Sequence, residues 1–596
     1  MGENKAATTG PAATKYRSCP YLDTINRSVL DFDFEKLCSV SLSRINVYAC
    51  LICGKYFQGR GPSTHAYTHS VHADHHVFLQ LESLEFFCLP DNYRVVDSAL
   101  DDILFVLQPR FSPQDIRELD KSEKLSIALD GTRYLPGIVG LNNIKANDYC
   151  NVILQSLSAV SPLRDFMLRD ENYRDIKRPP GDNMFLIVQR FGELLRKLWN
   201  PRHFKAHVSP HEMLQAVVLC SKKRFQITCQ GDPVDFLSWF LNALHIALNG
   251  TTKDSSSVIY KTFRGRMRVY SKKLFPTDPE HQPKVYDPAD YEVKEEKMPF
   301  MYLTVDLPSQ PLFRDDQQET IIPQVPLNVI MAKFNGVQEK EYKTYKDNTL
   351  KRFEIIKLPK YLILYMKRFT RNTFFTEKNP TIVNFPIRNV DFGEILAAET
   401  REANPENVYD LVANIVHEGE PNKGTYRCHV LHRGSGKWYE LQDLHVTEIL
   451  PQMITLSESY VQIWQRTSPP FKDVLKGKDK AKNVVPSRGE RTGEKAQPVD
   501  VPMKSQAPQH EKDAEREKGV SKNGDEAQRS EAAKAQNKED GAHKEQGTPS
   551  SEVSEKAIAD IEMTTSLTPS SEVPAGGDNS TIKGVKRKHD GEKILH

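Results

Sequence analysis

The sequence predicts an α+β protein that consists of a small metal-binding domain, a larger mixed domain and a disordered C-terminal tail. Five of the nine cysteines and a dense run of histidines lie in residues 16–95. Residues 136–467 alternate helical patterns with strand-like runs, and residues 96–135 connect the two parts. Residues 1–15 and 468–596 contain almost no aromatic side chains. They cannot bury enough apolar surface to offset the entropy of the chain, so we expect both to be disordered.

The bulk composition argues against a membrane protein, a secreted protein and a protein with a global affinity for nucleic acid. The chain has 596 residues with 81 basic and 79 acidic side chains, so any contact with RNA must be local. No hydrophobic run approaches the roughly 20 residues that span a bilayer. An odd count of nine cysteines in so long a chain does not fit a disulfide scaffold. We therefore expect a soluble intracellular protein without membrane contact.

The cysteine- and histidine-rich segment contains Cys50-x-x-Cys53, a spacing that lets two thiolates bind one tetrahedral zinc ion. The structural alternative is a pair of reduced thiols in a hydrophobic core. The spaced histidines that follow favour zinc, but spacing alone leaves open which of them bind. The candidates are His65, His69, His72, His75 and His76.

This segment resembles the UBP-type zinc finger, in which a CxxC pair is followed by HxxxH and by a further histidine six residues on. The resemblance implies one complete Cys₂His₂ zinc site, formed by Cys50, Cys53, His69 and His75. We therefore expect one zinc ion per chain.

Other ligand positions of this type of finger are incomplete here. Cys38 matches one of them, but Ser41 and Gln58 occupy two others. His65 is therefore left without a full set of ligands, and no second zinc is expected at these positions.

Two further features of the finger bear on additional ligands. Cys19 and Cys88 are interpreted either as remnants of a third metal site or as small buried apolar side chains. Some fingers of this type bind the free C-terminus of ubiquitin through an arginine and aromatic residues. Arg60 matches the arginine, but Leu89 and Pro90 stand where tyrosines are common. Ubiquitin binding by this finger is therefore not expected.

The connector, residues 96–135, is predicted to contain one short helix, in the run SPQDIRELDKSEKL. Ser112 can cap the N-terminus of this helix, and Pro113 suits its first position. The larger domain begins directly after the connector.

The run GIVGLNNIKANDYCNVILQSL, residues 137–157, is typical of a turn followed by the start of a helix, because its apolar residues recur with a helical period. Asn147 and Asp148 occupy the expected N-cap region. The run resembles the nucleophile box of ubiquitin-specific proteases, in which Gly-Asn-Thr-Cys-Tyr puts the catalytic cysteine at the start of that helix. The matching run here is residues 145–149, so Asp148 occupies the cysteine position.

Further matches to the same family follow in order between residues 137 and 465. QGDPVDFL matches a helix, FMYLTVDLP and LPKYLILYMKRF match core strands, and YDLVANIVHEG, GTYRCHV and KWYELQDLHV match the C-terminal histidine box and the strand after it. The resemblance implies a papain-like ubiquitin-specific-protease fold over residues 136–467. There is no cysteine between residues 251 and 427, so the structural zinc of the family's finger subdomain is not expected.

A cysteine protease needs a thiolate, an imidazole base, a group that orients the base and oxyanion donors. At the matching family positions this chain has Ala146 for the oxyanion asparagine, Asp148 for the nucleophile, Thr425 for the base and Gln442 for the orienting group. The resemblance therefore implies an inactive homologue. The alternative is a ubiquitin-specific cysteine deubiquitinase that uses Cys150. Two residues along a helix turn a side chain by roughly 200°, which argues against it.

The residues of the matching segments, including GLNNIKANDY and QGDPVDFLSWFLNALH, resemble those of a group of spliceosomal proteins that carry an inactive ubiquitin-specific-protease domain. This resemblance implies a nuclear, non-catalytic scaffold of the tri-snRNP that acts in pre-mRNA splicing and spliceosome assembly. Its partners would be tri-snRNP proteins, with snRNA contacted only indirectly. The run Lys586-Arg587-Lys588 is interpreted either as a nuclear-import signal or as a solvated charge run.

Overall fold

The computed structural model describes residues 19–179, 181–274, 292–309, 322–343, 348–371, 375–421 and 423–467. The predictions for residues 1–15 and 468–596, including the candidate import signal, lie outside these ranges. Within the described ranges, no helix combines the length and the apolar character that crossing a bilayer requires.

The N-terminal part is a five-stranded antiparallel sheet with one helix, α1 (His65–Ala73), packed against it. Successive side chains of a strand point to opposite faces of its sheet. The first strand accordingly places Tyr48 and Cys50 in the core beneath α1 and Ala49 and Leu51 in a second core on the other face. The strands are β1 (Val47–Cys50), β2 (Tyr56–Gln58), β3 (Val77–Gln80), β4 (Phe86–Cys88) and β5 (Tyr93–Val95), in the spatial order β2-β1-β3-β4-β5.

The connector contains two short helices where the sequence predicted one. The predicted helix begins as expected, since Ser112 and Asp115 form a reciprocal capping box and Pro113 lies in the first turn. The other helix was missed because it is too short to show a period, and Ile103 and Val106 on it pack into the second core of the finger. The elements are α2 (Asp101–Leu107), α3 (Pro113–Glu118), β6 (Ser126–Ile127) and β7 (Arg133–Tyr134).

The first half of the larger domain is helical. All residues of its first helix, α4 (Asp148–Ser158), are buried, because this helix lies between α8 and the large sheet of the second half. The other helices are α5 (Ser161–Leu168), α6 (Met184–Leu198), α7 (His211–Cys220), α8 (Pro233–Ala247) and α9 (Val258–Phe263), and a short parallel pair joins β8 (Gly140–Leu141) to β9 (His207–Val208).

The second half of the larger domain supplies the remaining strands and three short helices. The strands are β10 (Gly265–Leu274), β11 (Lys294–Phe300), β12 (Leu303–Asp306), β13 (Gln324–Pro326), β14 (Asn335–Lys343), β15 (Asn348–Lys357), β16 (Tyr361–Lys367), β17 (Phe369–Arg371), β18 (Thr376–Lys378), β19 (Ile382–Asn384), β20 (Val390–Asp391), β21 (Val408–Glu418), β22 (Thr425–His432), β23 (Lys437–Gln442), β24 (His445–Ile449) and β25 (Ser459–Arg466). The helices are α10 (Leu327–Met331), α11 (Ala398–Ala403) and α12 (Pro451–Thr455).

The largest sheet has the strand order β12-β16-β25-β21-β22-β23-β24, and β20 pairs beside β21. Only β12 and β16 run parallel within it. The central strands β16 and β25 are almost continuously buried, as expected for strands that are covered on both faces. A separate antiparallel sheet has the order β11-β10-β15-β14. The α+β class predicted from the sequence is confirmed.

The finger is fixed to the helical half of the larger domain by residues 31–36, in which acidic and aromatic side chains alternate as far as Glu35 and are followed by Lys36. Lys197 on α6 lies 2.9 Å from Asp33, and both side chains are almost fully buried. Asp33 also accepts a hydrogen bond from the backbone N–H of Ser209 at 2.8 Å. A buried ion pair therefore lies in the contact between the two parts. Around it, Asp31 pairs with Lys205 and Lys36 pairs with Glu212.

Candidate metal centre and active-site cleft

Four side chains of the finger meet at one point beside the first strand. Cys50 ends β1, Cys53 lies in the turn that follows, His69 belongs to α1, and His75 lies just past the end of α1. One ligand atom from each lies within 4.8 Å of all the others. The turn before His75 needs Asp74 in a left-handed conformation with φ of 57°. Spacing along the chain and this reversal together bring the predicted ligand set into one cluster, hereafter the ligand cluster.

The geometry of the ligand cluster fits a tetrahedral zinc ion. Cys50 Sγ lies 3.5 Å from His75 Nδ1, Cys53 Sγ lies 3.4 Å from His69 Nε2, and the two histidine nitrogens are 3.0 Å apart. Zinc bonds of about 2.0–2.3 Å in a tetrahedron separate the ligand atoms by about 3.3–3.8 Å. The two sulfur–nitrogen distances lie in this range, and the two histidine nitrogens are slightly closer together. The hydrogen bond between the two thiols lowers the pKa of Cys53 to about 4 and raises the pKa of Cys50, so Cys53 is the thiolate of the pair and Cys50 must lose its proton when zinc binds.

The remaining histidines of the segment lie outside the ligand cluster. His76 contacts the backbone oxygen of Leu89 through Nδ1 at 2.7 Å, and His72 is exposed. His65 contacts Cys38 instead. The structure therefore distinguishes between histidines that spacing alone left equivalent.

Backbone and side-chain hydrogen bonds connect the four residues at the incomplete ligand positions, Cys38, Ser41, Gln58 and His65, hereafter the remnant site. Cys38 Sγ lies 3.3 Å from His65 Nδ1, and it accepts hydrogen bonds from the backbone N–H groups of Ser41 at 3.4 Å and Gln58 at 3.3 Å. Ser41 Oγ donates to Gln58 Oε1 at 2.9 Å. Burial opposes the ionised thiol, but the hydrogen bonds of Ser41 and Gln58 outweigh it and lower the pKa of Cys38 to about 6.

The other candidates in the finger are engaged within the finger itself. Cys19 and Cys88 are both buried and form no disulfide, and burial raises the pKa of the Cys88 thiol. The Arg60 guanidinium lies 4.1 Å from the centre of the Phe87 ring and donates a hydrogen bond to Asn92. Cys19 and Cys88 are thus part of the second core of the finger, and Arg60 packs against the Phe87 ring.

In the larger domain, Asp148 connects the start of α4 to the start of β22. Its Oδ2 atom accepts a hydrogen bond from Gln230 Nε2 at 2.7 Å and another from the backbone N–H of Tyr426 at 3.1 Å. Gln230 Nε2 also donates to the backbone oxygen of Gly424 at 3.1 Å. Asp148 is 4% exposed, so this carboxylate is a structural acceptor in the cleft between helix and sheet. The family match identified Gln230, but this bridging contact has no signal in the sequence.

The predicted N-cap is correct in position but not in its contacts. Asn147 is the N-cap residue of α4, yet it makes no capping hydrogen bond, and neither does the side chain of Asp148. Instead, Asn147 Oδ1 accepts a hydrogen bond from the backbone N–H of Ile144 at 2.7 Å, and its amide donates to Asn151 Oδ1 at 3.1 Å. These bonds fix the loop in front of the helix. Asp148 is the acidic residue of the first turn of α4, as expected, but its carboxylate accepts hydrogen bonds from Gln230 and Tyr426 and makes no capping bond to its own helix.

The other replaced catalytic positions border the same cleft. Ala146 immediately precedes the N-cap, Thr425 is the exposed first residue of β22, and Gln442 is the last residue of β23. Asn143 Nδ2 donates to Asp443 Oδ2 at 3.2 Å, which links the loop before α4 to the end of β23. The start of β22 therefore meets α4 at Asp148, and Gln442 ends β23 next to Asp443, which hydrogen-bonds to the loop before α4.

The alternative nucleophile, Cys150, and the histidine nearest to Thr425 along the chain, His429, are both buried. Cys150 is 1% exposed, and burial raises the pKa of its thiol. His429 is also buried; Asn414 Nδ2 lies 3.2 Å from its Nδ1, and Glu440 Oε2 lies 3.0 Å from its Nε2. Both nitrogens of His429 are therefore engaged away from Cys150.

His417 lies on β21 opposite Tyr426 of β22, among aromatic rings. The Phe369 and Tyr426 rings are 5.0 Å and 4.9 Å from its ring. Burial, assisted by the charge of Lys378, lowers the pKa of His417 to about 4. A Cβ added to Gly424 would lie 2.2 Å from His417 Nε2, so the histidine packs directly against the glycine before Thr425.

Comparison with known proteins agrees with this domain arrangement. Residues 139–464 match the family described as "Ubiquitin carboxyl-terminal hydrolase", and residues 38–100 match the "Zn-finger in ubiquitin-hydrolases and other protein".

Curated relatives share most of their length with the chain. It is 66% identical to the human protein "Ubiquitin carboxyl-terminal hydrolase 39" over 76% of this chain and 80% of the relative. It is 44% identical to "Probable mRNA-splicing protein ubp10" of Schizosaccharomyces pombe over 75% of this chain and 88% of the relative.

A solved structure supports the same relationship. It is described as "Crystal structure of an essential yeast splicing factor", with a TM-score of 0.59 and 28% identity over 75% of this chain and 100% of the other. The resemblance inferred from the sequence is confirmed. The chain belongs to the ubiquitin carboxyl-terminal hydrolase family and has a zinc finger of the ubiquitin-hydrolase type in front of its hydrolase-like domain.

Proposed function

We propose that this chain acts in pre-mRNA splicing as a non-catalytic scaffold of the spliceosomal tri-snRNP in the nucleus, where it contacts tri-snRNP proteins and reaches snRNA only through them. The splicing role is supported by relatives whose names describe mRNA splicing and by the yeast splicing-factor structure. The domain boundaries given in the sequence analysis are part of this proposal. So is the interpretation of residues 586–588 as a nuclear-import signal, to which a solvated charge run is the alternative.

The observation that supports a non-catalytic role is the chemistry of the cleft. The Asp148 carboxylate lies at the family's nucleophile position and is already used to bind Gln230 and the backbone of Tyr426. A carboxylate held in these hydrogen bonds cannot replace the thiolate nucleophile of a cysteine protease. Thr425 has no imidazole, so it cannot accept a proton and return it to a leaving amine. Ala146 offers no side-chain donor to an oxyanion, a deficit of about 3–4 kcal/mol in comparable sites.

The finger contributes the proposed metal centre. Cys50, Cys53, His69 and His75 would hold one zinc ion, whose role when bound is to fix the strand, the turn and the helix that carry its ligands. The remnant site already joins Cys38 to His65 by hydrogen bonding and supplies only two metal-ligating side chains. We propose one zinc per chain on this basis, with no ubiquitin captured by Arg60.

The activity test uses a fluorogenic ubiquitin substrate and a probe that traps reactive cysteines. We expect no turnover by the native chain or by Asp148→Cys, because one thiol restores neither base nor oxyanion donor. The combined variant Ala146→Asn, Asp148→Cys, Thr425→His and Gln442→Asp is the one with a chemical basis for activity. Turnover by the native chain, or probe labelling at Cys150, would establish the deubiquitinase alternative.

The scaffold test fractionates nuclear extract that contains the tagged full-length chain. We expect the chain to co-sediment with the tri-snRNP and to do so equally well as Asp148→Ala, since catalysis is not required. Recovery of the native chain only in the light fractions of free proteins would refute the scaffold role.

A further inference from the structure

The finger has a surface loop, residues 39–46, that lies beside β2 and exposes three large aliphatic side chains. Val40 is 64% exposed, Leu42 is 72% exposed and Ile45 is 75% exposed. Single exposed aliphatic side chains are common on soluble proteins, but three within six residues form a patch of the kind that marks an interaction site. We call residues 39–46 the aliphatic loop.

Hydrogen bonds fix the aliphatic loop from within. The backbone N–H of Leu42 donates to the carbonyl oxygen of Cys38, and the N–H of Cys38 donates to the carbonyl oxygen of Ser43, both at 3.0 Å. Ser43 Oγ accepts hydrogen bonds from Gln58 Nε2 and from the backbone N–H of Ile45, both at 3.2 Å. Because these polar groups bond to one another and to the remnant site, the loop has a defined shape although its aliphatic side chains face solvent.

The backbone of Leu42 is held in the left-handed conformation, with φ of 56°. The Cβ atom of a leucine disfavours this conformation. Backbone strain of this kind persists where the surrounding contacts impose it, and it is concentrated at binding sites and switches. Leu42 belongs to neither core of the finger, so its own burial does not offset the strain in the free protein.

The two ends of the described chain lie away from the aliphatic loop. Cys19, the first described residue, packs with Cys88 of β4 in the second core of the finger. The aliphatic loop lies beside β2, and β1 and β3 separate β2 from β4. At the other end of the described chain, β25 is part of the largest sheet. Neither end leads into the loop, so we expect its partner to be a separate molecule.

The charge of the aliphatic loop indicates which kind of molecule binds it. Arg44 is its one charged residue, and the side chain is 71% exposed. Nη2 of Arg44 lies 3.2 Å from Glu35 Oε1, and the other guanidinium N–H groups have no partner among the described residues. Attachment to a lipid surface takes several basic residues, and a symmetric contact between two copies would bring the two arginines together. A different protein with a negative charge therefore fits best.

We infer that the aliphatic loop docks into an apolar groove of a partner protein, at whose rim a carboxylate pairs with Arg44. Protein interfaces commonly have such a core of apolar contacts within a polar rim. A loop that already has its bound shape loses little conformational freedom on docking. Docking also gives the remnant site a role, which is to hold the loop in place without a metal. The partner is sought in the tri-snRNP, so this docking site rests on the scaffold role proposed above.

The test titrates tri-snRNP particles, purified from nuclear extract and depleted of the native chain, into the fluorescein-labelled full-length chain. Fluorescence anisotropy gives the apparent dissociation constant. The loop variant carries Val40→Ser, Leu42→Ser and Ile45→Ser. The matched control removes three aliphatic side chains of the connector that are 51%, 65% and 51% exposed: Leu125→Ser, Ile127→Ser and Leu129→Ser. Zinc content and urea unfolding of both variants should match those of the native chain, because all six positions are exposed.

We expect the loop variant to bind the particles at least about tenfold more weakly, because truncating the anchor residues at the centre of an interface removes most of its affinity. The control should change the dissociation constant less than about twofold. Arg44→Gln should weaken binding about threefold at about 50 mM salt and less at about 500 mM, because salt screens a rim charge. Ser41→Ala with Gln58→Ala keeps the aliphatic side chains but loosens the loop, and should weaken binding about threefold.

A photo-crosslinker in the middle of the loop, Leu42→p-benzoylphenylalanine, identifies the groove in the bound particle. We expect a cross-link to a segment of a tri-snRNP protein that combines aliphatic residues with Asp or Glu. A cross-link to residues 1–18, to residues 468–596 or to a second copy would overturn the inference. Equal binding by the loop variant and its control, or native binding to phosphatidylserine vesicles that the loop variant loses, would do the same. These results leave the scaffold role intact, whereas a native chain that does not bind the particles refutes both.

Discussion

The ligand cluster in the finger and the cleft in the hydrolase-like domain both lie where the family has functional side chains. They differ in whether this chain keeps those side chains. The ligand cluster has four side chains with metal-binding atoms, at separations that fit a tetrahedron. In the cleft, the backbone geometry is present and the reactive groups are replaced. The contact of Asp148 with Tyr426 still joins helix to sheet.

The remnant site shows how such a replacement is possible within the finger itself. Ser41 and Gln58 stand where further ligands would complete a metal site. Their side chains hydrogen-bond to each other, and their backbone N–H groups donate to Cys38 Sγ. In the cleft, Gln230 and Asp148 connect two elements in the same manner. The comparison teaches that hydrogen bonds can maintain the framework of a site after its reactive groups are replaced, because buried polar groups need partners whether or not they react.

The largest effect is expected from breaking the ligand cluster. Cys50→Ser should abolish zinc binding and unfold the finger, since metal binding supplies about 10 kcal/mol or more of folding free energy in small zinc domains. Elemental analysis and limited proteolysis measure this, and Cys220→Ser, in the hydrolase-like domain, is the matched control. A native chain with no zinc, or with two or more ions, would contradict the prediction.

The contact between the two regions should be sensitive to its buried ion pair. Lys197→Met leaves the Asp33 carboxylate buried without its partner and should cost about 3–5 kcal/mol in urea unfolding, whereas Lys197→Met with Asp33→Leu should cost less. Burial alone would raise the pKa of Asp33, but Lys197 and His203 outweigh it and the pKa is lowered. The stabilisation is therefore present above the unfolded pKa near 3.8 and is lost as pH falls through the folded pKa. Equal costs for the single and double variants would argue against the pair.

His417 gives the cleft a pH dependence of its own. Its pKa is lowered from 6.5 to about 4 in the folded state by burial and by Lys378. The unfolded chain takes up a proton between these values while the folded chain does not, so stability decreases as pH falls through this window, by about 3 kcal/mol. His417→Gln, which does not titrate, should lose that part of the decrease. Superimposable pH profiles of the native chain, His417→Gln and the exposed-site control His72→Gln would refute it.

The smallest effect is expected from rebuilding the remnant site. Ser41→Cys with Gln58→Cys places two thiols beside Cys38 and His65, which are already 3.3 Å apart. We expect a second zinc per chain and about 2.7 kcal/mol of added stability when free zinc exceeds the dissociation constant a hundredfold. Ser41→Ala with Gln58→Ala serves as control and should bind one zinc only. A stoichiometry of one in the double-cysteine variant would show that the backbone no longer fits a metal.

Strongly patterned features could be predicted from the sequence, and weakly patterned ones could not. The α3 cap at Ser112 and the strand in LPKYLILYMKRF follow from local chemistry and appear as predicted. Helix α2 was missed because seven residues show little period and its burial depends on the finger's second core. The hydrogen-bond partners of Asp148 were not predicted, because they are 82 and 278 residues away along the chain.

The sequence by itself determined the class of the fold, the family, the candidate ligands Cys50, Cys53, His69 and His75, and the loss of all four catalytic residue types. Each is a matter of residue identity and short spacing. Only the tertiary structure decided which histidines converge, where the Asp148 carboxylate is bound, and that Leu42 lies exposed on a loop that Gln58 holds. These depend on strand register and on contacts between distant segments, and register is set by the burial of whole faces rather than by any local run of residues.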